Sequence, residues 1–113
     1  MKRTQITIYT KFGQNEECNK IYAIKDDDVI KYIDLENNKM VVDMQNNSMN
    51  RENSDYMFNL DFNKEVISIT IKKFKKTLEK SIKTWKILKT KNSFLVRYQL
   101  VDEQQINEYY VKF

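Results

Sequence analysis

Short segments in which apolar and polar residues alternate fill most of this 113-residue chain. In the clearest one, "YMFNLDF", the alternation places Phe58, Leu60 and Phe62 on one face, and "EVISITIKK" follows after the short turn "NK". Period-two segments rich in aromatic and β-branched residues predict half-buried strands, and the tight turn predicts a hairpin. The pair "NN" at 37–38 predicts another hairpin turn, because asparagine tolerates a positive φ.

Further segments of the same kind lie on both sides of this hairpin: "QITIYTKF", "CNKIYAI", "VIKYIDL", "KMVVDM", "SFLVRYQLV" and "INEYYVKF". An open meander would leave two unpaired edge strands, which closure into a barrel removes. The sequence therefore predicts an all-β fold, an eight-stranded antiparallel meander barrel forming one domain over residues 1–113. The polar stretch "QNNSMNRENSD", at about 45–55, is predicted to be a mobile loop.

Residues 72–91, "KKFKKTLEKSIKTWKILKTK", fit two different structures. Phe74, Leu78, Ile82 and Trp85 recur at helical spacing, so an alternative fold is α+β, with a helix at about 74–89 packed on an antiparallel sheet. No strong capping box precedes the segment, however, and no glycine or proline follows it. As strands, it would need a change of parity near Thr84, which a β-bulge produces, to bring Trp85 and Ile87 to the inner face. We favour two strands that meet at a bend.

The C-terminal 60 residues carry a series of loose motifs: Tyr56-Met57-Phe58, then Thr77-Leu78 with Ile82, Thr84 and Ile87, then Val96, Tyr98 and Leu100, and a closing strand at 109–113. This order resembles a family of uncharacterised bacterial β-barrels with a calycin-like, lipocalin-related fold. The family's usual Pro-Tyr-Gly turn is replaced here by Phe74-Lys75-Lys76. The resemblance implies an eight-stranded barrel in which 72–91 is strand, turn and strand. It implies no chemistry, because the family's members are themselves of unknown function.

Several residue types that catalytic and metal sites need are scarce or missing. The chain has no histidine, one cysteine (Cys18) and one glycine (Gly13). Histidine-based nucleophile pairs, zinc sites and glycine-rich phosphate loops are therefore excluded. We predict that the protein is not an enzyme and has no cofactor or metal. The lone cysteine and the lack of a signal sequence or long apolar run predict a cytoplasmic protein without a membrane span.

Two groups of carboxylates have alternative interpretations. Asp34, Glu36 and Asp43 lie near one predicted hairpin, where a pair could serve acid–base catalysis, although surface charge is the simpler interpretation. The run Asp26-Asp27-Asp28 could bind a hard metal ion, but it lacks further ligands at regular spacing and is better explained as a turn.

The formal net charge of +4 is concentrated in one region, because residues 72–91 carry nine lysines. An alternative function is therefore nucleic-acid binding by a basic surface, for which the candidates are Lys72, Lys73, Lys75, Lys76, Lys80, Lys83 and Lys86. With seventeen lysines, twelve asparagines and three arginines, the composition also matches the codon bias of an AT-rich bacterial genome. Arginine, which suits bidentate phosphate contacts, is absent from the cluster.

Aromatic residues on the predicted inner faces suggest a different function. A small barrel is either filled by side chains or holds one small ligand. Our first functional hypothesis is accordingly a barrel that binds an unknown small apolar ligand, or a protein partner. The predicted lumen residues are Tyr32, Phe58, Phe62, Trp85 and Tyr98.

Overall fold

The computed structural model describes residues 2–113, which form a closed barrel of ten antiparallel strands. The strands are β1 (Lys2–Phe12), β2 (Asn15–Asp26), β3 (Val29–Ile33), β4 (Lys39–Asp43), β5 (Ser48–Glu52), β6 (Tyr56–Asp61), β7 (Val66–Ile71), β8 (Lys76–Thr90), β9 (Ser93–Leu100) and β10 (Asn107–Lys112). Each strand pairs with its neighbours in sequence, and β1 pairs with β10. The predicted antiparallel meander barrel is confirmed, whereas the predicted number of eight strands is wrong.

Strand β5 lies inside the polar stretch that the sequence predicts to be a loop, so the loop prediction at about 45–55 is wrong for Ser48–Glu52. Met49 pairs with Val42 on one side and with Leu60 on the other, which fixes the inward face of this strand. By the alternation of a strand, Arg51 also faces inward. Its polar neighbours face solvent and hide the strand signal.

Residues 72–91 contain no α-helix, so the alternative prediction of a helix at about 74–89 is wrong. A short 3₁₀ turn at Lys72–Phe74 leads instead into β8, one bent strand of 15 residues. Its first half pairs with β7 and its second half with β9. The register shifts between Thr84 and Lys86, which confirms the predicted bulge but makes the segment one strand, not two.

The two ends of the barrel differ in their turns and packing. We call the end that carries the β1–β2, β3–β4, β5–β6, β7–β8 and β9–β10 connections the open end, and the other the closed end. At the open end Gly13 has φ +64°, and a Cβ there would lie 2.6 Å from Oε1 of Gln105. The β3–β4 turn contains Asn37 with φ 65°, as expected for "NN".

Fully buried apolar side chains fill the closed end. Phe94, Val96 and Val111 have no solvent exposure, and Ile30 and Val42 pack in the same cluster. The ammonium of Lys89 donates to the backbone oxygen of Met44 (2.9 Å), which ties β8 to the β4–β5 turn at this end. We call these packed side chains at the closed end the floor of the barrel. They leave the open end as the route into the interior.

No helix found in residues 2–113 is long and apolar enough to cross a bilayer.

Candidate functional site in the barrel lumen

A cavity of about 680 Å³ occupies the lumen above the packed floor. Its walls are mainly apolar and include Met40, Met49, Phe58, Leu60 and Ile67. The diameter of a β-barrel grows with the number of strands, and barrels of eight strands are filled by side chains or hold one small ligand. The two additional strands give this barrel a wider interior than the predicted eight would. A volume in this range matches the sites that hold small organic molecules.

Two buried tyrosines from opposite parts of the chain meet in the cavity wall. The hydroxyl of Tyr32 in β3 lies 2.7 Å from that of Tyr109 in β10, so that one donates a hydrogen bond to the other. Burial raises the pKa of Tyr32 to about 12, although the hydrogen bond with Tyr109 opposes this effect. Burial, together with Tyr32, raises the pKa of Tyr109 well above its ordinary value. Both phenols are therefore uncharged at neutral pH.

A third buried tyrosine, Tyr98 in β9, lines the same cavity and is only 7% exposed. Its ring packs against that of Phe62, with the centroids 5.3 Å apart. Burial raises the pKa of Tyr98 to about 12, and the nearby charge of Arg51 acts in the opposite direction. Within residues 2–113 no protein group forms a hydrogen bond with the Tyr98 hydroxyl, in contrast to the Tyr32–Tyr109 pair.

The single arginine of the cavity is held by carboxylates of the β3–β4 turn. Nη2 of Arg51 lies 3.0 Å from Oε2 of Glu36, and its Nε lies 3.9 Å from Oδ2 of Asp34. Asp34 also accepts hydrogen bonds from the backbone N–H and side-chain amide of Asn38, which is buried. The amide of Asn53 donates in turn to Oδ1 of Asn38 (3.0 Å). This network fixes the turns beside the mouth of the cavity.

The mouth of the cavity is acidic although the chain as a whole is basic. It is lined by one guanidinium, that of Arg51, and by four carboxylates: Glu16, Glu17, Asp34 and Glu36. Glu16 is also 3.6 Å from Lys11 across the first hairpin. Glu17 pairs with the cavity-lining Thr10, so that both face inward, and Glu17 makes no ion pair within residues 2–113.

The predicted lumen residues fall into three groups in the structure. Tyr32, Phe58 and Tyr98 line the cavity. Phe62 is buried in the floor against Tyr98 and does not line the cavity. The predicted inward position of Trp85 is wrong, because the bulge places this residue on the outer face. There it is 49% exposed and donates from Nε1 to Oε1 of Gln99 (3.0 Å).

Several lining residues were not predicted, chiefly Met40, Met49 and Arg51. The alternation of Met49 and Arg51 within the polar stretch was the available signal for two of them. Tyr109 lies in a predicted strand, but its contact with Tyr32 joins residues 77 positions apart. No local sequence spacing reports such a contact.

The predicted basic surface is divided between two places. Lys72, Lys73, Lys75 and Lys76 surround the β7–β8 turn, whereas Lys83 and Lys86 lie on the bent second half of β8. Two of the seven candidates are paired with carboxylates, Lys72 with Glu52 (2.6 Å) and Lys80 with Asp102 (3.4 Å). The hydrogen bond from Lys72 lowers the pKa of Glu52. Nζ of Lys83 lies 3.9 Å from the centre of the Trp85 ring.

The carboxylates considered for catalysis or metal binding make structural contacts instead. Asp34 and Glu36 are near each other, but Asp43 lies at the closed end, where it accepts from the backbone N–H and side-chain amide of Asn46. The run 26–28 occupies the end of β2 and the β2–β3 turn, with Asp27 at φ 51°. Within residues 2–113 no three carboxylate or cysteine side chains cluster as metal ligands.

Comparison of this chain with protein-family models, with curated proteins and with solved structures finds no significant match.

Proposed function

We propose that the protein is a non-enzymatic binding barrel that holds one small, largely apolar molecule in its lumen. The observation that carries this proposal is the cavity of about 680 Å³, open at one end and enclosed by a continuous strand wall. Apolar walls supply most of the affinity in such sites, and a few polar groups set orientation. Kinship with calycin-like barrels and a cytoplasmic location belong to the same proposal.

The polar groups of the lumen support binding better than catalysis. The three buried phenols remain protonated far above neutral pH, so none is a base or nucleophile under ordinary conditions. Asp34 and Glu36 are engaged by Asn38 and Arg51. These groups can orient a ligand without reacting with it.

A lumen-filling variant tests the proposal directly. Leu100 lines the cavity, so Leu100→Trp is expected to occupy part of it and to weaken binding of the uncharged fluorophore N-phenyl-1-naphthylamine roughly tenfold or more. The measurement is the fluorescence increase of the probe on titration with protein. Val101→Trp is the matched control, because Val101, the residue after Leu100, is 66% exposed and does not line the cavity.

Wild-type protein that gives no saturable fluorescence increase would refute the proposal. Equal binding by wild type and Leu100→Trp would do the same, since the probe would then bind elsewhere. Circular dichroism of both tryptophan variants establishes that each is folded as an all-β protein.

A second candidate function is nucleic-acid binding by the basic surface of 72–91. It is supported by two exposed aromatic rings next to lysines, Phe74 with Lys73 and Trp85 with Lys83. Exposed aromatic rings beside positive charge are the elements of a single-strand stacking platform. The acidic mouth of the lumen lies at the same end as the β7–β8 turn, which makes this candidate the weaker one.

A charge-reversal comparison tests this second candidate. If it holds, a mixed-sequence single-stranded oligonucleotide binds at about 50 mM salt, and Lys73→Glu/Lys75→Glu/Lys76→Glu lowers the affinity at least about tenfold. The control carries the same change in net charge on exposed lysines elsewhere: Lys20→Glu/Lys31→Glu/Lys112→Glu. Fluorescence anisotropy gives both affinities. No binding by the wild type at this salt concentration, or equal losses in the two triple variants, excludes the candidate.

A further inference from the structure

We propose that the lumen selects a ligand without negative charge whose apolar body carries one hydrogen-bond acceptor, such as a carbonyl oxygen, and that the Tyr98 hydroxyl donates to it. This inference rests on the proposed binding function and specifies its ligand class. It combines two independent features of the site: an unpartnered phenol in the cavity wall and a charge distribution that disfavours anions.

The first feature is the Tyr98 hydroxyl. Buried tyrosine hydroxyls normally have a hydrogen-bond partner, because an unpaired polar group inside a protein costs free energy. Tyr98 is more than nine-tenths buried and lines the cavity, yet no protein group within residues 2–113 pairs with its hydroxyl. Phe62 packs against the ring and holds it in place. A protonated phenol in this position is a ready donor to an acceptor on the ligand.

The second feature disfavours anionic ligands at the mouth. A carboxylate would have to approach four lining carboxylates, of which Glu17 has no ion-pair partner within residues 2–113. Arg51 offsets them only in part, because Glu36 lies 3.0 Å and Asp34 3.9 Å from its guanidinium, although its buried Nε has no hydrogen-bond partner within residues 2–113. Like charges placed along a binding route discriminate against the anion.

A series of three compounds with the same number of carbon atoms tests the inference by displacement of N-phenyl-1-naphthylamine near neutral pH. The series is valerophenone, pentylbenzene and 5-phenylpentanoate. We expect valerophenone to bind about tenfold or more tightly than 5-phenylpentanoate at about 50 mM salt. Tyr98→Phe is expected to weaken valerophenone about fivefold, the contribution of one hydrogen bond, and to leave pentylbenzene within about twofold.

Tyr110→Phe is the matched control, since Tyr110 lies on the next position to the inward-facing Tyr109 and therefore faces outward. Its affinities should equal those of the wild type. A 5-phenylpentanoate affinity equal to that of the ketone overturns the inference, and so does a valerophenone affinity that is unchanged in Tyr98→Phe. If the fluorophore binds in the lumen but these differences are absent, only the ligand class is wrong. If the fluorophore does not bind, the proposed function itself fails.

Discussion

Between pH 10 and pH 12 the barrel is expected to lose roughly 4 kcal/mol of stability through two buried tyrosines alone. In the unfolded chain Tyr32 and Tyr98 ionise near pH 10, whereas in the folded protein burial raises the pKa of each to about 12. Below pH 10 both states are protonated, and the stabilisation is complete. Above it the unfolded state releases protons that the folded state retains, so that stability falls with rising pH by about 1.4 kcal/mol per pH unit and tyrosine.

Tyr109 adds to the same alkaline transition, because its pKa is raised well above the ordinary value by burial and by Tyr32. Small domains are typically stable by about 5–15 kcal/mol, so the transition should consume a large part of the total. Urea unfolding at a series of pH values from about 8 to 12, followed by circular dichroism, measures the loss. Tyrosinate absorbance in the native state reports the late ionisation of the buried rings.

Tyr98→Phe isolates one contribution to this transition. The variant loses no hydrogen bond within the protein, so its stability at pH 8 should be close to that of the wild type. Its loss of stability between pH 10 and pH 12 should be smaller than that of the wild type by about 2 kcal/mol. Tyr22→Phe is the control, because that ring is 60% exposed. If the wild type and Tyr98→Phe lose equal amounts of stability between pH 10 and pH 12, the assignment of Tyr98 as a buried phenol is contradicted.

The faces of the regular strands could be predicted because one side of each is buried and the other is solvated. In β6 and the residue that follows it, the alternation places Leu60 and Phe62 in the barrel, and both are buried. Period-two alternation is reliable where the core is apolar. The same reasoning fails for β5, because the lumen next to it is open and accepts Arg51 as well as Met49. A strand that lines a cavity does not need a uniformly apolar inner face.

The bulge in β8 shows a second limit of sequence patterns. The parity change near Thr84 is visible in the order of apolar residues, and the register shift occurs there. The pattern cannot tell which residue is the extra one, since either a threonine or a tryptophan can be placed outward. The structure places Trp85 outside, where Lys83 covers its ring and Gln99 accepts from its indole N–H.

The sequence suggests a lumen, but its volume could not be predicted, because the volume depends on the number of strands. Missing β5 gives a narrower barrel than the one that the structure has. The polar groups of the site also come from distant strands: Tyr32 from β3, Arg51 from β5, Tyr98 from β9 and Tyr109 from β10. Their convergence follows from closure of the sheet, which no local motif encodes.

Phe94→Ala should destabilise the protein by about 3–5 kcal/mol, because Phe94 is completely buried in the floor at the closed end and its removal leaves a cavity. Phe74→Ala is the matched control: this ring is 62% exposed at the β7–β8 turn, and its loss should change stability by less than about 0.5 kcal/mol. Urea unfolding at pH 8 measures both. Since Phe94 does not line the lumen cavity, the folded Phe94→Ala variant should still bind N-phenyl-1-naphthylamine. Equal destabilisation by the two substitutions would contradict a closed end packed around Phe94.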